Sequence, residues 1–187
     1  MIVSDGTIRE MLLTGYLSVS PIEESQIQPA SIDVRLGNTF QTFPEAGKGW
    51  VVDPFSDNSG LAERHRLEEG QSITLGPGAF ALGSTVESVR VPRDLVARVE
   101  GKSSLARLGL AVHATAGFID PGFSGHITLE FSNLLPYGIR LTPGMKIAQL
   151  SFQTMESAAE RPYGSVGLNS KYQDQREATA SAYHLNS

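Results

Sequence analysis

The sequence predicts a mainly β fold, in which many short strands are joined by tight turns and a few short helices interrupt them. The 187 residues include 19 Gly and 10 Pro but only 19% charged residues, a composition that favours turn-rich β structure over a helix bundle. Apolar and polar residues alternate at 31–36 and 126–131, as half-buried strands require. Pro-Gly pairs recur at 77–78, 121–122 and 143–144, where tight turns are expected. The length suits one domain with a sizeable core.

The first elements follow from capping residues and alternation. Ser4 is a candidate helix N-cap, an apolar stripe at helical spacing follows it, and Gly15 is a stop signal, so residues 4–14 are predicted to form a short helix. In residues 31–36 the apolar residues alternate, and Gly37 and Asn38 are expected to end this strand. The polar, turn-rich residues 53–70 are expected to form a surface loop within the domain.

Two later segments resemble each other. Residues 73–78 and 139–144 each run from alternating apolar residues into a Pro-Gly pair followed by a second strand. Each segment is therefore predicted to form a β-hairpin. Residues 103–109 interrupt the strands and are predicted to form one or two helical turns that end at a glycine.

The strand at 126–131 carries a candidate functional carboxylate. Its period of two places Ile127, Leu129 and Phe131 on one face and His126, Thr128 and Glu130 on the other. A carboxylate on such a strand lies either in solvent, which is the commoner case, or in a polar pocket.

Composition and charge exclude several classes of protein. The chain contains no cysteine, which excludes disulfides, thiolate zinc sites and cysteine nucleophiles. Its four histidines match no zinc-site motif, and we interpret them as surface or hydrogen-bonded structural residues. No signal peptide or membrane span is evident, so a cytoplasmic location is expected and no membrane partner. A net charge of −5 argues against nucleic-acid binding, which needs a basic surface, but is compatible with a small anionic ligand.

The segment 101–107, GKSSLAR, is a candidate phosphate site. It combines a glycine, two hydroxyls, two cations and a helix N-terminus, which suit phosphate oxygens. An ordinary capped helical turn with solvated charges explains it equally well, and the spacing is not that of a Walker A loop. Asp120, before a Pro-Gly pair, is explained by turn chemistry alone when taken in isolation.

The order of several motifs decides between these interpretations. The segments 28–36, 101–110, 119–125, 128–130 and 170–175 together resemble the dCTP deaminase family of the dUTPase superfamily, across nearly the whole chain. The resemblance implies a distorted jelly-roll β-barrel of the dUTPase-like type, a homotrimer, and active sites shared between neighbouring subunits. From Gly164 onward the chain is polar and poor in apolar residues, as in mobile tails. We therefore divide it into a β domain at 1–163 and a C-terminal tail at 164–187, expected to close over bound nucleotide.

The resemblance also implies residue roles. Glu130 would be the general base and then the general acid of deamination, with Ser104 and Arg107 positioning the attacking water. Asp120 would contact the deoxyribose 3′-hydroxyl and orient the water that attacks the α-phosphate. The residues expected to bind substrate are Lys102, Ser103, Ser104, Leu105, Ala106, Arg107, Asp120, Thr128, Leu129, Glu130, Gln149, Tyr163, Lys171 and Gln175.

Residues 115–120, TAGFID, are similar to those of the bifunctional, dUMP-forming members of the family. Deaminase-only members have bulkier His-Arg in place of Gly117 and Phe118, so Ala116, Gly117 and Phe118 are the expected determinants of the second activity. The expected reaction converts dCTP to dUMP, ammonia and pyrophosphate, with Mg²⁺ bound through the triphosphate, no zinc, and dTTP as feedback inhibitor. Three alternatives remain open: a deaminase that releases dUTP, a dUTP pyrophosphatase without deaminase activity, and a noncatalytic jelly-roll binding module.

Overall fold

The computed structural model describes residues 1–44 and 51–186. Within these ranges the chain forms two α-helices, α1 (Asp5–Leu13) and α2 (Ser103–Ala106), with short 3-10 segments at Glu24–Gln26, Ser59–Leu61 and Tyr183–Asn186. The strands are β1 (Ser18–Ser20), β2 (Ile27–Gln28), β3 (Ser31–Thr42), β4 (Glu63–Arg66), β5 (Ile73–Leu75), β6 (Phe80–Arg90), β7 (Leu95–Gly101), β8 (Leu110–Val112), β9 (Phe118–Ile119), β10 (Ser124–Asn133), β11 (Ile139–Leu141) and β12 (Lys146–Thr154). The prediction of a mainly β fold with short helices is confirmed.

Most strands belong to one large curled sheet. Its order is β8-β10-β6-β3-β12-β7-β9, with β1 on β6 and with β2 and β4 on β3. The pairs are antiparallel, so each strand can present apolar residues to the inside of the curl and polar residues to the outside. The fully buried interior includes Phe40, Phe131, Phe152, Ile32, Leu36, Leu95, Leu129 and Ile147. The sheet thus curls into a half-barrel, in agreement with the dUTPase-like jelly-roll that the family resemblance implies.

The predicted N-terminal helix is confirmed. Helix α1 begins after Ser4, which occupies the N-cap position. The backbone oxygen of Ser4 accepts from the Ile8 N–H at 2.8 Å, and Ile8 is completely buried. Gly15 follows the C-cap with φ of 70°, a left-handed conformation that favours glycine. In the described residues, no helix is long and apolar enough to span a membrane.

The predicted end of the third strand is wrong. Strand β3 continues through Gly37 and Asn38 to Thr42, pairing first with β12 and then with β6 and β4. At Gly37 a Cβ atom would come within 2.9 Å of the Ser84 carbonyl oxygen. Because Gly37 has no side chain, the backbone of β3 can pass close to β6 at the point where its pairing changes from β12 to β6 and β4.

The prediction that residues 53–70 form only a surface loop is also wrong, because β3 continues beyond residue 36 and offers a partner for a further strand. Residues 63–66 form β4, which pairs with residues 39–42 of β3. A strand prediction that ends at residue 36 leaves β4 without a partner. The polar composition of this segment agrees with the structure, because the side chains of Glu63, Arg64 and Arg66 are exposed.

The two predicted hairpins are also wrong. Each Pro-Gly turn forms, with φ of 68° at Gly78 and 84° at Gly144. However, β5 and β11 pair with each other, with Leu75 opposite Ile139 and Ile73 opposite Leu141. The strands that follow the turns, β6 and β12, belong to the large sheet. The two similar segments are therefore partners in one two-stranded sheet.

The strand that carries the candidate carboxylate is as predicted. Along β10 buried and partly exposed residues alternate without interruption. The helical turn at Ser103–Ala106 also forms, and it ends at Gly109 with φ of 74°. In the sheet β10 lies between β8 and β6.

Candidate functional site

Glu130 is held by a loop that follows β8. Its Oε2 atom accepts two hydrogen bonds from Thr115, one from the backbone N–H at 3.0 Å and one from the hydroxyl at 3.1 Å. The side chain of Glu130 is 22% exposed, so the carboxylate borders solvent without being surrounded by it. The structure thus supports the pocket interpretation of this residue.

His113 lies on the other side of the same carboxylate. Its Nδ1 accepts from the backbone N–H of Glu130 at 3.0 Å, so the proton of the neutral ring resides on Nε2. That Nε2 atom lies 3.7 Å from Oε1 of Glu130. Burial lowers the pKa of His113, and the charge of Glu130 opposes this shift without overcoming it. A neutral imidazole with its N–H side toward Oε1 is the resulting state.

Neither Thr115 nor His113 is predicted from the sequence to contact Glu130. The histidines are predicted to be surface or hydrogen-bonded structural residues, and His113 does serve as a backbone acceptor. Its contact with Glu130 depends on the pairing of β8 with β10, which places Val112 opposite Phe131. A signal in the sequence is that Thr115 is the first residue of the TAGFID segment and that His113 lies two residues before it.

The neutral state of His113 predicts a pH effect on stability. In the unfolded chain a histidine titrates near pH 6.5, whereas the folded chain binds its proton only at lower pH. The folded chain is therefore destabilised relative to the unfolded chain as pH falls below about 6.5 toward the lower pKa of His113 in the folded state. We expect His113→Asn, whose amide oxygen can replace the Nδ1 acceptor, to lose less melting temperature than wild type between pH 7 and pH 5. Thermal melts across this range give the comparison, and equal losses would contradict it.

The phosphate-binding candidates lie at the surface near this loop. Ser103, Ser104, Ala106 and Arg107 are exposed, and Leu105 is partly buried. The preceding Gly101 packs so closely on β8 that a Cβ there would lie 2.2 Å from the Val112 carbonyl oxygen. The start of α2 therefore lies beside the strand that leads into His113. In the described part of the chain, no hydrogen bond or ion pair joins Ser104 or Arg107 to Glu130.

Lys102 is bound to a buried carboxylate. Its Nζ donates to Oδ1 of Asp33 at 2.5 Å, and Lys146 lies 3.3 Å from Oδ2 of the same residue. The side chain of Asp33 is 3% exposed, against 23% for Lys102. Gln149 lies opposite Asp33 in the β3–β12 ladder and accepts from the Ser31 hydroxyl at 3.3 Å. Asp33 therefore fixes two cations beside the predicted phosphate site, a role that the sequence analysis did not assign.

Asp120 and Tyr163 meet at the Pro-Gly turn after β9. The Tyr163 N–H donates to the Pro121 carbonyl at 2.7 Å, and the Tyr163 ring lies 5.9 Å from that of Phe123. Burial raises the pKa of Tyr163, and the charge of the exposed Asp120 adds a smaller contribution. The turn thus brings together two predicted substrate-binding residues that are far apart in sequence.

The C-terminal tail pairs with the edge of β10 near Gly125 and then reaches the polar face of the strand. Gln175 accepts through its backbone oxygen from the His126 N–H at 2.9 Å, and its side-chain amide donates to the His126 carbonyl at 2.7 Å. Farther along, the Thr179 N–H donates to the Thr128 hydroxyl at 3.2 Å. Lys171, by contrast, donates to the side chain of Asn186. The tail therefore reaches the face that carries Glu130, while Leu129 points into the core.

The structure gives Gly117 a different explanation from the one that the sequence suggests. Val99 donates its N–H to the Gly117 carbonyl at 2.8 Å, and a Cβ at position 117 would lie 2.8 Å from the Val99 carbonyl oxygen. The absence of a side chain at Gly117 therefore allows this close contact with β7. Ala116 and Phe118 on either side are exposed, and remain free to contact a ligand.

Two other observations concern ligands. A cavity of about 310 Å³ lies beside His126, between the Gly37 region of β3 and Arg176 of the tail, and Glu130 does not line it. Among residues 1–44 and 51–186, no group of three or more His, Cys, Asp or Glu side chains is placed to hold a metal ion. We base the candidate site on the groups around Glu130, where a carboxylate held by two donors borders solvent.

Comparison with known proteins identifies the family of the chain. Residues 2–155 match the model of the dCTP deaminase-like family. A protein of Leifsonia xyli subsp. xyli named "dCTP deaminase, dUMP-forming" is 50% identical over 100% of this chain and 92% of its own length. A protein of Rhodococcus opacus with the same name is 50% identical over 100% of this chain and 98% of its own. The solved 2′-deoxycytidine 5′-triphosphate deaminase from Agrobacterium tumefaciens is 25% identical, with a TM-score of 0.64 over 82% of this chain. The match spans 47% of that longer chain.

Proposed function

The chain belongs to the dCTP deaminase-like family, and we propose that it converts dCTP to dUMP, ammonia and pyrophosphate. Relatives of about 50% identity that bear the name "dCTP deaminase, dUMP-forming" align with the whole chain. The observation in the structure that carries the proposal is the Glu130 carboxylate, held on one oxygen by Thr115. A dUTP pyrophosphatase without deaminase activity has no use for a proton-transferring group at this position.

Deamination replaces the amino group on C4 of cytosine by oxygen. As the water oxygen bonds to C4, Glu130 accepts one water proton and delivers it to N3. The second proton passes from the new hydroxyl through the same carboxylate to the amino nitrogen. The bond from C4 to that nitrogen breaks, ammonia leaves, and a C4 carbonyl remains. Glu130 thus acts as base and then acid and ends in its original state.

The triphosphate would be held by charged and polar donors from several elements. Arg and Lys suit phosphate oxygens because their hydrogen bonds are charge-assisted. We assign this role to Lys102, Ser103, Arg107, Gln149, Tyr163, Lys171 and Gln175. Asp120, exposed at the turn after β9, would contact the 3′-hydroxyl and orient the water that attacks the α-phosphate. The tail from Gly164, already placed along β10, would exclude bulk water as a lid.

The exposure of α2 supports an active site shared between subunits. Ser104 and Arg107 are assigned to position the attacking water, yet both are exposed and neither contacts Glu130 of its own chain. A homotrimer in which α2 of one subunit faces β10 of its neighbour would complete the site. A single chain would then bind nucleotide incompletely.

Magnesium fits this site as a companion of the nucleotide. Mg²⁺ dehydrates reluctantly and is commonly held by substrate phosphates with few protein ligands. The described residues provide no cluster of metal ligands, which suits an ion carried on the triphosphate. When bound, the ion would neutralise phosphate charge. We also assign dTTP to this site as a feedback inhibitor, since it shares the deoxyribose, the triphosphate and a pyrimidine base with the substrate.

Product analysis tests the proposal as a whole. We expect incubation with dCTP and Mg²⁺ to give ammonia, dUMP and pyrophosphate in equal amounts, without accumulation of dUTP in proportion to ammonia. Quenched-flow chromatography measures each product. Stoichiometric dUTP without dUMP would identify a deaminase-only enzyme, and absence of ammonia would contradict deamination. The test uses the wild-type protein, because any side chain introduced at position 117 would meet the Val99 carbonyl oxygen and would change the loop as well as any water near the phosphate.

A further inference from the structure

The two oxygens of Glu130 have different surroundings. Oε2 accepts both bonds from Thr115, through the backbone N–H at 3.0 Å and the hydroxyl at 3.1 Å. Oε1 faces Nε2 of His113 at 3.7 Å, too far for a hydrogen bond. One oxygen is therefore held by two donors from a single residue, while the other keeps its lone pairs for a ligand.

Such an arrangement decides the orientation of the carboxylate plane. The last torsion of a glutamate side chain is broad and roughly two-fold, so it does not by itself fix either oxygen. Two donors on Oε2 restrict this torsion, and the bond from the Glu130 N–H to His113 fixes the backbone of the same residue at 3.0 Å. Thr115 is β-branched and stiff at χ1, which keeps its hydroxyl in one direction.

We propose, on the basis of the deaminase function proposed above, that Thr115 is a positioning residue for the proton transfers. By holding Oε2, it makes Oε1 the oxygen that takes the first proton of the attacking water and delivers it to N3, and that then passes the second proton, from the new hydroxyl, to the amino nitrogen. Thr115 exchanges no proton with the substrate. Its contribution is geometric, and a misplacement of roughly 1 Å at a reacting group can cost on the order of a hundredfold in rate.

Two substitutions separate the hydroxyl from the rest of the residue. Thr115→Val keeps the shape and the backbone donor but removes the hydroxyl, and Thr115→Ser keeps the hydroxyl. For Thr115→Val we expect kcat for ammonia release to fall about tenfold to a hundredfold, the range for loss of one hydrogen bond to a charged group. The KM for dCTP should change by less than about threefold, because the contact is to the catalytic carboxylate. Thr115→Ser should remain within about threefold of wild type.

Thr42→Val is the matched control. The hydroxyl of Thr42 also bonds one side chain of a neighbouring strand, His65 Nε2 at 2.7 Å, but β6 lies between its strand, β3, and β10, and Thr42 does not bond Glu130. This variant should release ammonia at the wild-type rate. Thermal melts of all variants accompany the kinetics. If Thr115→Val unfolds at the assay temperature, Thr115→Ala compared with Thr115→Ser makes the same distinction.

The outcomes are separable. A fall in kcat for Thr115→Val with rescue by Thr115→Ser supports the assignment. An unchanged kcat for Thr115→Val, equal losses for Val and Ser, or a parallel rise in KM overturns it while the deaminase function stands. If wild type and Thr42→Val both fail to release ammonia from dCTP, the deaminase function itself is wrong, and the role of Thr115 falls with it.

Discussion

Ammonia release from dCTP is expected to fall by about 10²–10⁴-fold or more when Glu130 is replaced by glutamine, the range for loss of a general acid–base group. Glutamine has nearly the shape of glutamate, and its amide oxygen can still accept from Thr115. It cannot take a proton from water at any accessible pH. A binding site assembled from other residues should therefore survive while the reaction does not.

Binding and turnover are measured separately to test this. Calorimetry on Glu130→Gln should give a dissociation constant for dCTP close to that of the wild-type complex, and dTTP should compete for the same site. Glu63→Gln is a matched control, because Glu63 is an exposed carboxylate on β4; it should leave ammonia release unchanged. Substantial ammonia release by Glu130→Gln would refute the catalytic assignment, and absence of competition would refute the assignment of dTTP.

Removal of the tail is the second change with a large expected effect. A chain that ends at Tyr163 should lose about a hundredfold or more in activity, because Lys171 and Gln175 are both assigned to the triphosphate and each charged hydrogen bond contributes about 1.5–3 kcal/mol. Stability should change less. Among residues 164–186, Ala178 is the buried apolar side chain, so little of the core is lost.

A shorter deletion is the control for this experiment. A chain that ends at Thr179 keeps Lys171, Gln175 and the contact of Thr179 with Thr128, and we expect it to retain most of the activity. Steady-state kinetics and thermal melts of both truncated proteins make the comparison. A large fall in the melting temperature of the longer deletion would mean that the tail belongs to the folded domain and would contradict its description as a lid.

The parts of the fold that the sequence predicts well depend on local chemistry. Helix α1 follows from a capping serine and a terminal glycine, and the alternation along β10 follows from the period of a strand. The choice of strand partners does not follow in this way. Residues 73–75 and 139–141 pair with each other. The alternation of apolar and polar residues is the same whether a strand pairs with its neighbour in a hairpin or with a distant strand, so it does not predict the partner. At Gly37 the local signal for a turn was overridden by the close approach of β6.

The candidate site divides along the same line. The position of Glu130 on a polar face is predictable from the residues next to it. The pairing of β8 with β10 places Thr115 and His113 beside Glu130. The residues of the two strands do not by themselves predict that these strands pair. For Gly117 the sequence predicts an effect on the second reaction, whereas the structure shows a close packing contact with Val99.

The pairing of β5 with β11 has a consequence for how the protein reaches its native state. It joins two ends of the chain segment 76–138, which contains α2, the loop with Thr115, and the whole of β10. The entropy lost on closing a loop rises only slowly with length, by roughly 0.6 kcal/mol for each doubling, so one small sheet can enclose all of these residues at modest cost. Contacts between residues so distant in sequence form slowly, however. The ladder of β5 and β11 is therefore expected to form late in folding, after the nearer contacts within segment 76–138.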